Sequence, residues 1–255
     1  MEVALVTVGD ELLAGDTVNT NGTWLAEKLT DRGVSVRRIL VLPDVRATIA
    51  GRVRAYADTF DAVVVTGGIG GTPDDVTMEA VADAFDRGMA VSDLALADVE
   101  SHLADLAGAI PDLNVDSEAE ASVPEGSRPV LNPEGLAPGA VVENVYVLPG
   151  IPGEMKAMFQ EVSDAFEGDI VSRTLYTVQP EANVVPALSA ARERFDVRVG
   201  CYPDREAGHN RLKLSGGDAE SVEAAAEYLL ETTEASETPV ERDWDPEDAG
   251  VTDAN

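Results

Sequence analysis

Two adjacent aspartates follow a group of four glycines in the segment DAVVVTGGIGGTPDDVTME, which runs from Asp61 to Glu79. The apolar run 62–65 is typical of a buried strand, and Asp74-Asp75 predicts the N-cap of a helix with an apolar stripe. A strand, a glycine loop and a helix N-terminus in this order place free backbone N–H groups around one concavity. The segment therefore predicts a phosphate-binding loop.

The carboxylates beside this loop restrict the chemistry. Asp74 and Asp75 would repel a bare anion, so we expect a divalent cation between the carboxylates and the phosphate oxygens. The loop has no Gly-Lys-Ser/Thr sequence, so backbone amides and metal must meet the phosphate charge. The plainer interpretation of the same residues is a tight turn capped by an aspartate.

Polar residues also follow two earlier strands. The apolar run 3–8 ends at Gly9 and is followed by Asp10 and Glu11, and the strand predicted over 34–42 is followed by Asp44. Alternation of strands and helices favours a doubly wound α/β sheet, with ligands at the carboxyl ends of its strands. We therefore expect these carboxylates to converge near the glycine loop. Ordinary turn and loop roles are the alternatives.

The polar stretch 12–21 is expected to be a loop. It ends in Val-Asn-Thr-Asn, where Asn21 is predicted to cap the next helix. Asn19 is a candidate ligand-binding residue, although asparagines at such positions also cap or turn.

The composition and the spacing of apolar residues change along the rest of the chain and indicate the domain boundaries. Residues 107–134 form a proline-containing, loop-rich stretch for which we predict no detailed structure, and a strand is expected at 145–148. The predicted domains are 1–168, a small α+β domain at 169–233 with antiparallel pairing, and an acidic disordered tail at 234–255.

The charge balance is strongly acidic. Lysine and arginine number 18 against 48 aspartates and glutamates, a formal net charge of −30, and only three residues are lysines. Nucleic acid is an unexpected partner because such a surface repels a polyanion. A high-salt cytoplasm would explain the surface, since counterions screen self-repulsion. An ordinary acidic protein is the alternative.

Cysteine content and hydropathy bear on location. Cys201 is the single cysteine, so the chain has no internal disulfide and suits a reducing cytoplasm. The N-terminus leads directly into a strand without a signal sequence, and no apolar run is long enough to span a bilayer. We expect a soluble cytoplasmic protein without a membrane partner.

Four motifs resemble those of a known domain family. GDELLAG at 9–15 with VNTN at 18–21, and TGGIG at 66–70 with DDVTMEA at 74–80, resemble the molybdopterin-binding (MoaB/Mog-like) domain. The resemblance implies a three-layer α/β/α fold with a mostly parallel sheet, and homo-oligomers such as dimers or trimers. It also implies a pterin or adenine nucleotide with its phosphates on the glycine loop.

Two later motifs narrow the resemblance. NPEGLAPG at 132–139 and LPGIPGEM at 148–155 are similar to the amino-terminal half of the competence/damage-inducible protein A (CinA) family, and 172–233 resembles the KH-type subdomain that follows there. The family's deamidase domain has no counterpart in this sequence. The family pattern often has Thr at Leu136 and Pro at Gly71, so the chain departs from it at both positions.

The resemblance assigns roles to particular residues. Asp44 and Asp75 match the acidic residues of adenylyl-transferring relatives, and are the expected catalytic residues and, with Glu11, the expected ligands of Mg²⁺ or a similar metal. The expected phosphate- and substrate-binding residues are Asn19, Thr66, Gly67, Gly68, Gly70, Gly71, Thr72, Thr77, Pro138, Gly139, Pro149 and Gly150.

Three functions are consistent with these residues. The first is metal-dependent hydrolysis of a nucleotide pyrophosphate such as ADP-ribose, as the CinA resemblance implies. The second is adenylyl transfer to molybdopterin, which would be a cofactor or substrate. The third is binding of a pterin or nucleotide without turnover.

Overall fold

The computed structural model describes residues 1–106, 114–205 and 207–240. The chain forms two compact units, of which the first ends at Gly168 and the second begins at Asp169. Within the described ranges, no helix combines the length and the apolar character that crossing a bilayer requires.

The large unit contains eight strands and seven α-helices within the described residues. The strands are β1 (Glu2–Val8), β2 (Ser35–Leu42), β3 (Ala62–Thr66), β4 (Met89–Val91), β5 (Ser122–Pro124), β6 (Arg128–Val130), β7 (Gly139–Val142) and β8 (Val145–Leu148). The helices are α1 (Asp10–Ala14), α2 (Thr20–Asp31), α3 (Arg46–Ala57), α4 (Thr77–Ala84), α5 (Asp93–Leu106), α6 (Ser117–Glu120) and α7 (Pro152–Val162).

Six of these strands form the central sheet, in the order β2-β1-β3-β8-β7-β6. The first four strands pair in parallel, whereas β7 pairs antiparallel with both β8 and β6. The predicted α/β fold with a mostly parallel sheet is confirmed. The antiparallel pairing is confined to one edge, because the short turn between β7 and β8 permits a hairpin and leaves no room for a crossover helix.

Hydrophobic residues cover both faces of the sheet. Every residue of β1 after Glu2 is buried, as expected for a strand between two helical layers. On one face Ile49 and Val53 of α3 pack against the sheet, and on the other Leu25 of α2 and Met155 of α7 do so. The apolar strands therefore place their polar ends, and not their faces, at the surface.

The small unit is a three-stranded antiparallel sheet with two helices. Its elements are β9 (Val171–Thr177), α8 (Glu181–Phe195), β10 (Arg198–Asp204), β11 (His209–Gly216) and α9 (Ala219–Thr232). The strand order is β10-β11-β9, so the predicted antiparallel pairing is present. Leu175, Leu212 and Leu214 join the two helices in a separate hydrophobic core.

Two predictions along the chain need correction. Helix α1 covers residues 10–14 and so includes the first three residues of the expected loop 12–21. The start of the expected disordered tail is ordered, because Ser236 pairs with Tyr176 through two backbone hydrogen bonds of 2.8 Å. Polar tail residues satisfy the exposed edge of β9 in this way. The rest of the predicted tail, 241–255, lies outside the described residues, as do 107–113 of the loop-rich stretch.

Candidate functional site at the carboxyl edge of the parallel strands

The carboxyl ends of the parallel strands are tied together by backbone hydrogen bonds. The N–H of Gly9, after β1, donates to the carbonyl of Leu42 at 3.1 Å, and the N–H of Gly67, after β3, donates to that of Leu148 at 3.1 Å. The turns that follow the four strands are therefore neighbours. This edge is where ligands bind in open α/β sheets.

The glycine loop, residues 67–72, has a backbone that requires glycine at its start. Gly67 and Gly68 have φ angles of +99° and +65°. A β-carbon on Gly67 would overlap the carbonyl oxygen of Val8, and one on Gly68 would lie 2.5 Å from the Thr77 hydroxyl. The buried strand ends and α4 therefore leave no space for a side chain at Gly67 or Gly68.

The backbone amides that follow this anchored start are not used by the fold. Among the described residues, the backbone N–H groups of residues 68–71 have no acceptor within the protein, whereas the N–H of Thr72 donates to Asp75 at 3.0 Å. Four consecutive free amides form a concentration of positive partial charge, which is the usual backbone device for binding phosphate.

Asp75 holds the end of the glycine loop and does not cap a helix. Its Oδ2 accepts the N–H of Thr72 and lies 2.6 Å from the Thr72 hydroxyl, which lies 2.6 Å from Asp74 as well. Helix α4 begins at Thr77, and Val76 is its N-cap without a side-chain bond. The predicted aspartate cap is therefore wrong, because the two carboxylates bond back to the loop.

Asp44 approaches the loop from the end of β2. Its Oδ2 accepts the N–H of Asp10 at 2.8 Å, and its Oδ1 lies 3.4 Å from the position of a β-carbon on Gly68. Burial raises the pKa of Asp44 above its ordinary value, and the charges of Asp10, Glu11 and Asp74 raise it further, while the hydrogen bond from Asp10 lowers it. Asp44 and Asp75 thus border one loop, Asp44 near Gly68 and Asp75 near Gly70.

Three cavities of about 540, 220 and 80 Å³ adjoin the glycine loop. The two larger cavities share Asp75, Glu120 and the glycines at 68, 70 and 71. No lysine, arginine or histidine is among the described residues that line the three cavities. The site therefore offers amide donors and carboxylates, and an anionic ligand here needs a cation that the side chains do not supply.

Glu120 is a site residue that the sequence did not reveal. It comes from the short helix α6, within the stretch left without a detailed prediction, and its carboxylate lies against Gly71. Burial raises the pKa of Glu120, and the negative charge of Asp75 raises it further. Only the tertiary fold brings α6 to the loop, so no local pattern could have identified this residue.

Asn132 and Glu154 form a second polar group, beside the largest cavity. Asn132 is fully buried, and its amide nitrogen donates to Glu154 at 2.8 Å and to the carbonyl of Ala137 at 3.1 Å. Its carbonyl oxygen accepts the N–H of Glu134 at 3.2 Å. These bonds fix the 132–139 motif, although the sequence alone assigns neither Asn132 nor Glu154 to the site.

The predicted asparagines have structural partners. Asn19, and not Asn21, caps α2, because its Oδ1 accepts the N–H of Gly22 at 3.0 Å. Its amide nitrogen donates to Thr7 at 2.9 Å. Asn21 donates to the carbonyl of Gly150 at 2.7 Å and leaves its Oδ1 buried without a partner in the described structure. Asn19 lines the smallest cavity with both ends of its amide already bonded.

Other predicted residues separate into cavity-lining and packing positions. Pro138 lines the 220 Å³ cavity, and Pro149 and Gly150 line the 540 Å³ cavity. Gly139 instead lies buried in β7, where a β-carbon would overlap the carbonyl of Val147. Its role is close strand packing, which sequence alone does not distinguish from ligand contact.

Two threonines and one glutamate complete the predicted set. Thr66 is buried at the end of β3 and lines the smallest cavity, as does Glu11. Thr77 is fully buried, donates its N–H to the carbonyl of Gly68 at 2.9 Å, and leaves its hydroxyl oxygen without a partner among the described residues. The buried Thr77 hydroxyl next to Gly68 therefore has an unused capacity for a hydrogen bond.

The expected three-carboxylate metal site is not assembled. Within the described residues, no group of three or more Asp, Glu, His or Cys side chains is arranged to hold a metal ion. Glu11 lines a different cavity from Asp75, so the two do not form one ligand set. A site of one or two carboxylates completed by phosphate oxygens and water is still compatible with the geometry, and is common for Mg²⁺.

A mostly parallel α/β sheet with glycine-rich turns and carboxylates at its strand ends defines the class of the large unit. Residues 4–167 match the family described as probable molybdopterin binding domain. The chain therefore belongs to the molybdopterin-binding-domain family. Residues 169–240 match the family described as FAD synthase, middle domain, and this corrects the expectation of a KH-type subdomain.

Full-length relatives support the family assignment. A protein from Archaeoglobus fulgidus is 38% identical over 234 residues, covering 91% of this chain and 97% of its own length. A Pyrococcus abyssi protein is 35% identical over 241 residues, covering 90% and 96%. The crystal structure of the protein CinA from Thermoplasma acidophilum is similar at 33% identity and a TM-score of 0.58, over 66% of this chain and 99% of that one.

Proposed function

We propose that the chain is a CinA-type enzyme that binds the diphosphate of a nucleotide at the glycine loop. With a divalent cation it hydrolyses the phosphoanhydride, as in a nucleotide pyrophosphate such as ADP-ribose. The observation that carries this proposal is the row of four free amides at 68–71, bordered by carboxylates and by no basic side chain in the described cavity lining. Amides alone leave much of a diphosphate's charge unbalanced.

The fit of a metal rests on the donor set. Carboxylate oxygens suit Mg²⁺, and Asp44 and Asp75 are the side chains that would hold it beside the loop. When bound, the metal supplies charge neutralisation and a polarised phosphoryl oxygen. The chain's own amides at 68–71 bind and orient the phosphates, and Asp75 keeps the loop in place through Thr72.

Glu120 is suited to move a proton. Burial and the charge of Asp75 raise its pKa and so favour its protonated form, and it lines both larger cavities. A carboxyl group in this state can protonate a leaving phosphate oxygen and later accept a proton from water. Asp44 shares the raised pKa but is placed as a ligand beside Gly68.

The choice of substrate class follows from the CinA resemblance of the sequence motifs, which implies a nucleotide pyrophosphate. The FAD synthase middle-domain match adds FAD to the dinucleotides worth testing. The match to a probable molybdopterin binding domain leaves a second candidate, adenylyl transfer to molybdopterin, and a third in which a pterin or nucleotide is held without turnover. A homo-oligomer is part of the proposal, to be checked by light scattering of the purified protein.

The test is incubation with ADP-ribose, with FAD, and with ATP plus molybdopterin, each with Mg²⁺ and with EDTA at high KCl. AMP release that requires Mg²⁺ supports hydrolysis, and adenylylated pterin supports transfer. Tight retention of ligand without product supports binding alone. Asp75→Asn should abolish turnover while leaving the melting temperature nearly unchanged, whereas Asp74→Asn, its exposed neighbour, should retain turnover. Unaltered turnover in Asp75→Asn would remove Asp75 from the site.

A further inference from the structure

The outer face of the small unit's sheet carries a groove that none of the functions above uses. Side chains alternate along these strands, so Leu175, Leu212 and Leu214 point to the helices while their neighbours point away. The groove has a volume of about 450 Å³. It is lined by Thr174, Tyr176, Tyr202, Arg211 and Lys213.

The strand register sets the pattern of this groove. Arg211 on the central strand lies opposite Tyr202 on one side and Tyr176 on the other. Lys213, two residues along, lies opposite Gly200 and Thr174. One row is thus a cation between two aromatic residues, and the next is a cation between two small residues.

Gly200 allows the ring of Tyr202 to lie over the backbone. A β-carbon at Gly200 would lie 2.7 Å from Oη of Tyr202 and 2.8 Å from both Cε2 and Cζ. These distances show that the Tyr202 ring lies against Gly200. Tyr202 is nevertheless 53% exposed, so part of the ring is open to a ligand. An exposed aromatic ring in contact with the backbone is a stacking surface.

The groove is lined by positively charged side chains, although the chain as a whole is strongly negative. The net charge is −30 and only three residues are lysines, yet one of them is at the centre of this face. Lys213 has no carboxylate within salt-bridge distance among the described residues, and Arg211 has only Asp204, at 3.8 Å. Two cations that lie two residues apart on one strand and line the same groove, one of them without an acidic partner among the described residues, form a local positive surface that favours an external anion.

We propose that this groove binds a mononucleotide. The planar base stacks on the exposed face of Tyr202, and the phosphate pairs with Lys213 and Arg211. The proposal commits to a single nucleotide because the groove has one exposed tyrosine and two cations, and because the chain's net charge repels a longer polyanion. Binding here needs no metal, since the side chains supply the positive charge. The proposal does not depend on the function proposed for the large unit.

The experiment is photolabelling of the full chain with 8-azido-AMP in EDTA, followed by tryptic mapping. Mapping separates the two regions, because Tyr202 is in the peptide 199–205 and the glycine loop is in another. Label is expected in the 199–205 or 174–192 peptide, with protection by excess AMP. Inorganic pyrophosphate and adenosine should each protect at least tenfold less well than AMP, since each lacks one half of the ligand.

Variants test each contact. Lys213→Met and Tyr202→Leu should each reduce this labelling about tenfold, whereas Arg192→Met removes an exposed cation from α8 of the same unit and should leave it unchanged. Gly200→Ala changes no charge and should reduce labelling by displacing the Tyr202 ring. Circular dichroism establishes that each variant is folded.

Several results would overturn the proposal. These are label confined to other peptides, equal loss in Arg192→Met, full labelling in folded Gly200→Ala and Lys213→Met, or protection by pyrophosphate equal to that by AMP. A short oligothymidylate that protects far better than AMP would also overturn it, by showing a nucleic-acid surface. Failure of the pyrophosphatase assay with retained labelling at 199–205 would reject the proposed function alone.

Discussion

The strand-end edge of the large unit and the outer sheet face of the small unit solve the same electrostatic problem in different ways. The edge presents four free amides with Asp44, Asp75 and Glu120 beside them. The sheet face presents Lys213 and Arg211 beside the exposed Tyr202 and the partly buried Tyr176. An anion at the edge needs an added cation, whereas one on the face finds its counter-charge in side chains. Net charge alone predicts neither region, because binding follows the local arrangement.

The largest expected effect tests whether the edge depends on backbone shape. Gly67→Ala should destabilise the protein by about 3 kcal/mol and abolish ligand binding at the loop, because it adds a positive-φ penalty and an overlap with the Val8 carbonyl. Gly15→Ala is the matched control, since Gly15 has φ +79° and no atom within 4 Å of an added β-carbon. It should cost about 1 kcal/mol. Equal costs in urea unfolding would contradict this account of the loop.

The next effect concerns Asp44 and separates activity from stability. Asp44→Asn should lower Mg²⁺-dependent turnover roughly 10- to 100-fold, yet raise the melting temperature at neutral pH. Burial raises the Asp44 pKa above 3.8, so the folded chain disfavours the ionised carboxylate. The stability that Asp44 contributes is therefore fully present at pH values below its ordinary pKa, and it is lost as the pH rises through the raised pKa of the folded chain. Asp44→Asn has no ionisable group at this position and avoids this loss of stability at neutral pH.

Asp74→Asn provides the control with opposite sign. A hydrogen bond from Thr72 lowers the pKa of the exposed Asp74, so its contribution to stability is present above the ordinary value and is lost as pH falls through the lowered one. This variant should not melt at a higher temperature at neutral pH. The contrast is measured by thermal unfolding from pH 3 to pH 8, in steps of about half a pH unit. A parallel response of the two variants would contradict the assignment.

A smaller effect is expected at Glu120. Glu120→Gln should raise the Mg²⁺ concentration that gives half-maximal turnover by about tenfold, because it removes a charge next to Asp75. It should also lower turnover and alter the alkaline limb of the pH–rate profile, since a general acid stops acting as the pH rises through its pKa. Glu118→Gln, on the exposed side of the same helix α6, serves as the control. If Glu120→Gln changes neither the Mg²⁺ dependence nor the pH–rate profile, Glu120 only packs against the loop.

The difference between predicted and observed site residues has a physical basis. Glycines between a buried strand and a helix signal a ligand loop through local geometry, so Gly67, Gly68 and Asp75 are visible in the sequence. Glu120 is not, because α6 reaches the loop from about fifty residues away through tertiary packing. The sheet order of β7 and β6 is likewise set by which edge remains open, and not by local propensity.

The helix caps also depend on tertiary contacts that the local sequence does not show. Asn19 and Asn21 are two residues apart in a polar stretch, and the sequence pattern supports either as the cap of α2. Contacts with Thr7 and Gly150 decide the outcome, and both partners lie on other elements. Asp75 is similar, since its bond to Thr72 competes with the capping role.

Salt should affect the two regions differently. Screening lengths fall from about 10 Å at 0.1 M to about 3 Å at 1 M salt. Raising KCl over this range should weaken AMP labelling of the sheet face several-fold and affect Mg²⁺-dependent turnover less. The melting temperature should rise steeply with KCl, because the net charge of −30 repels itself at low salt. A flat melting response would remove the high-salt interpretation.

The smallest effect tests order at the edge of β9. Ser236→Pro removes the N–H that donates to the Tyr176 carbonyl and should cost about 1 kcal/mol in the free energy of unfolding. Ser236→Ala retains this N–H and loses only the side-chain bond to Thr238, so it should cost less. Equal unfolding curves for the proline variant and the unaltered protein would show that 234–240 does not pair with the sheet.

The most direct test of the account is a crystal structure with Mn²⁺ and a non-hydrolysable ADP-ribose analogue, read by the anomalous signal of the metal. The account predicts a Mn²⁺ peak bonded to Asp44 or Asp75 and to diphosphate oxygens, with the same diphosphate accepting hydrogen bonds from the amides of residues 68–71. A diphosphate seated on these amides without metal, or a metal and ligand bound away from the glycine loop, would contradict it.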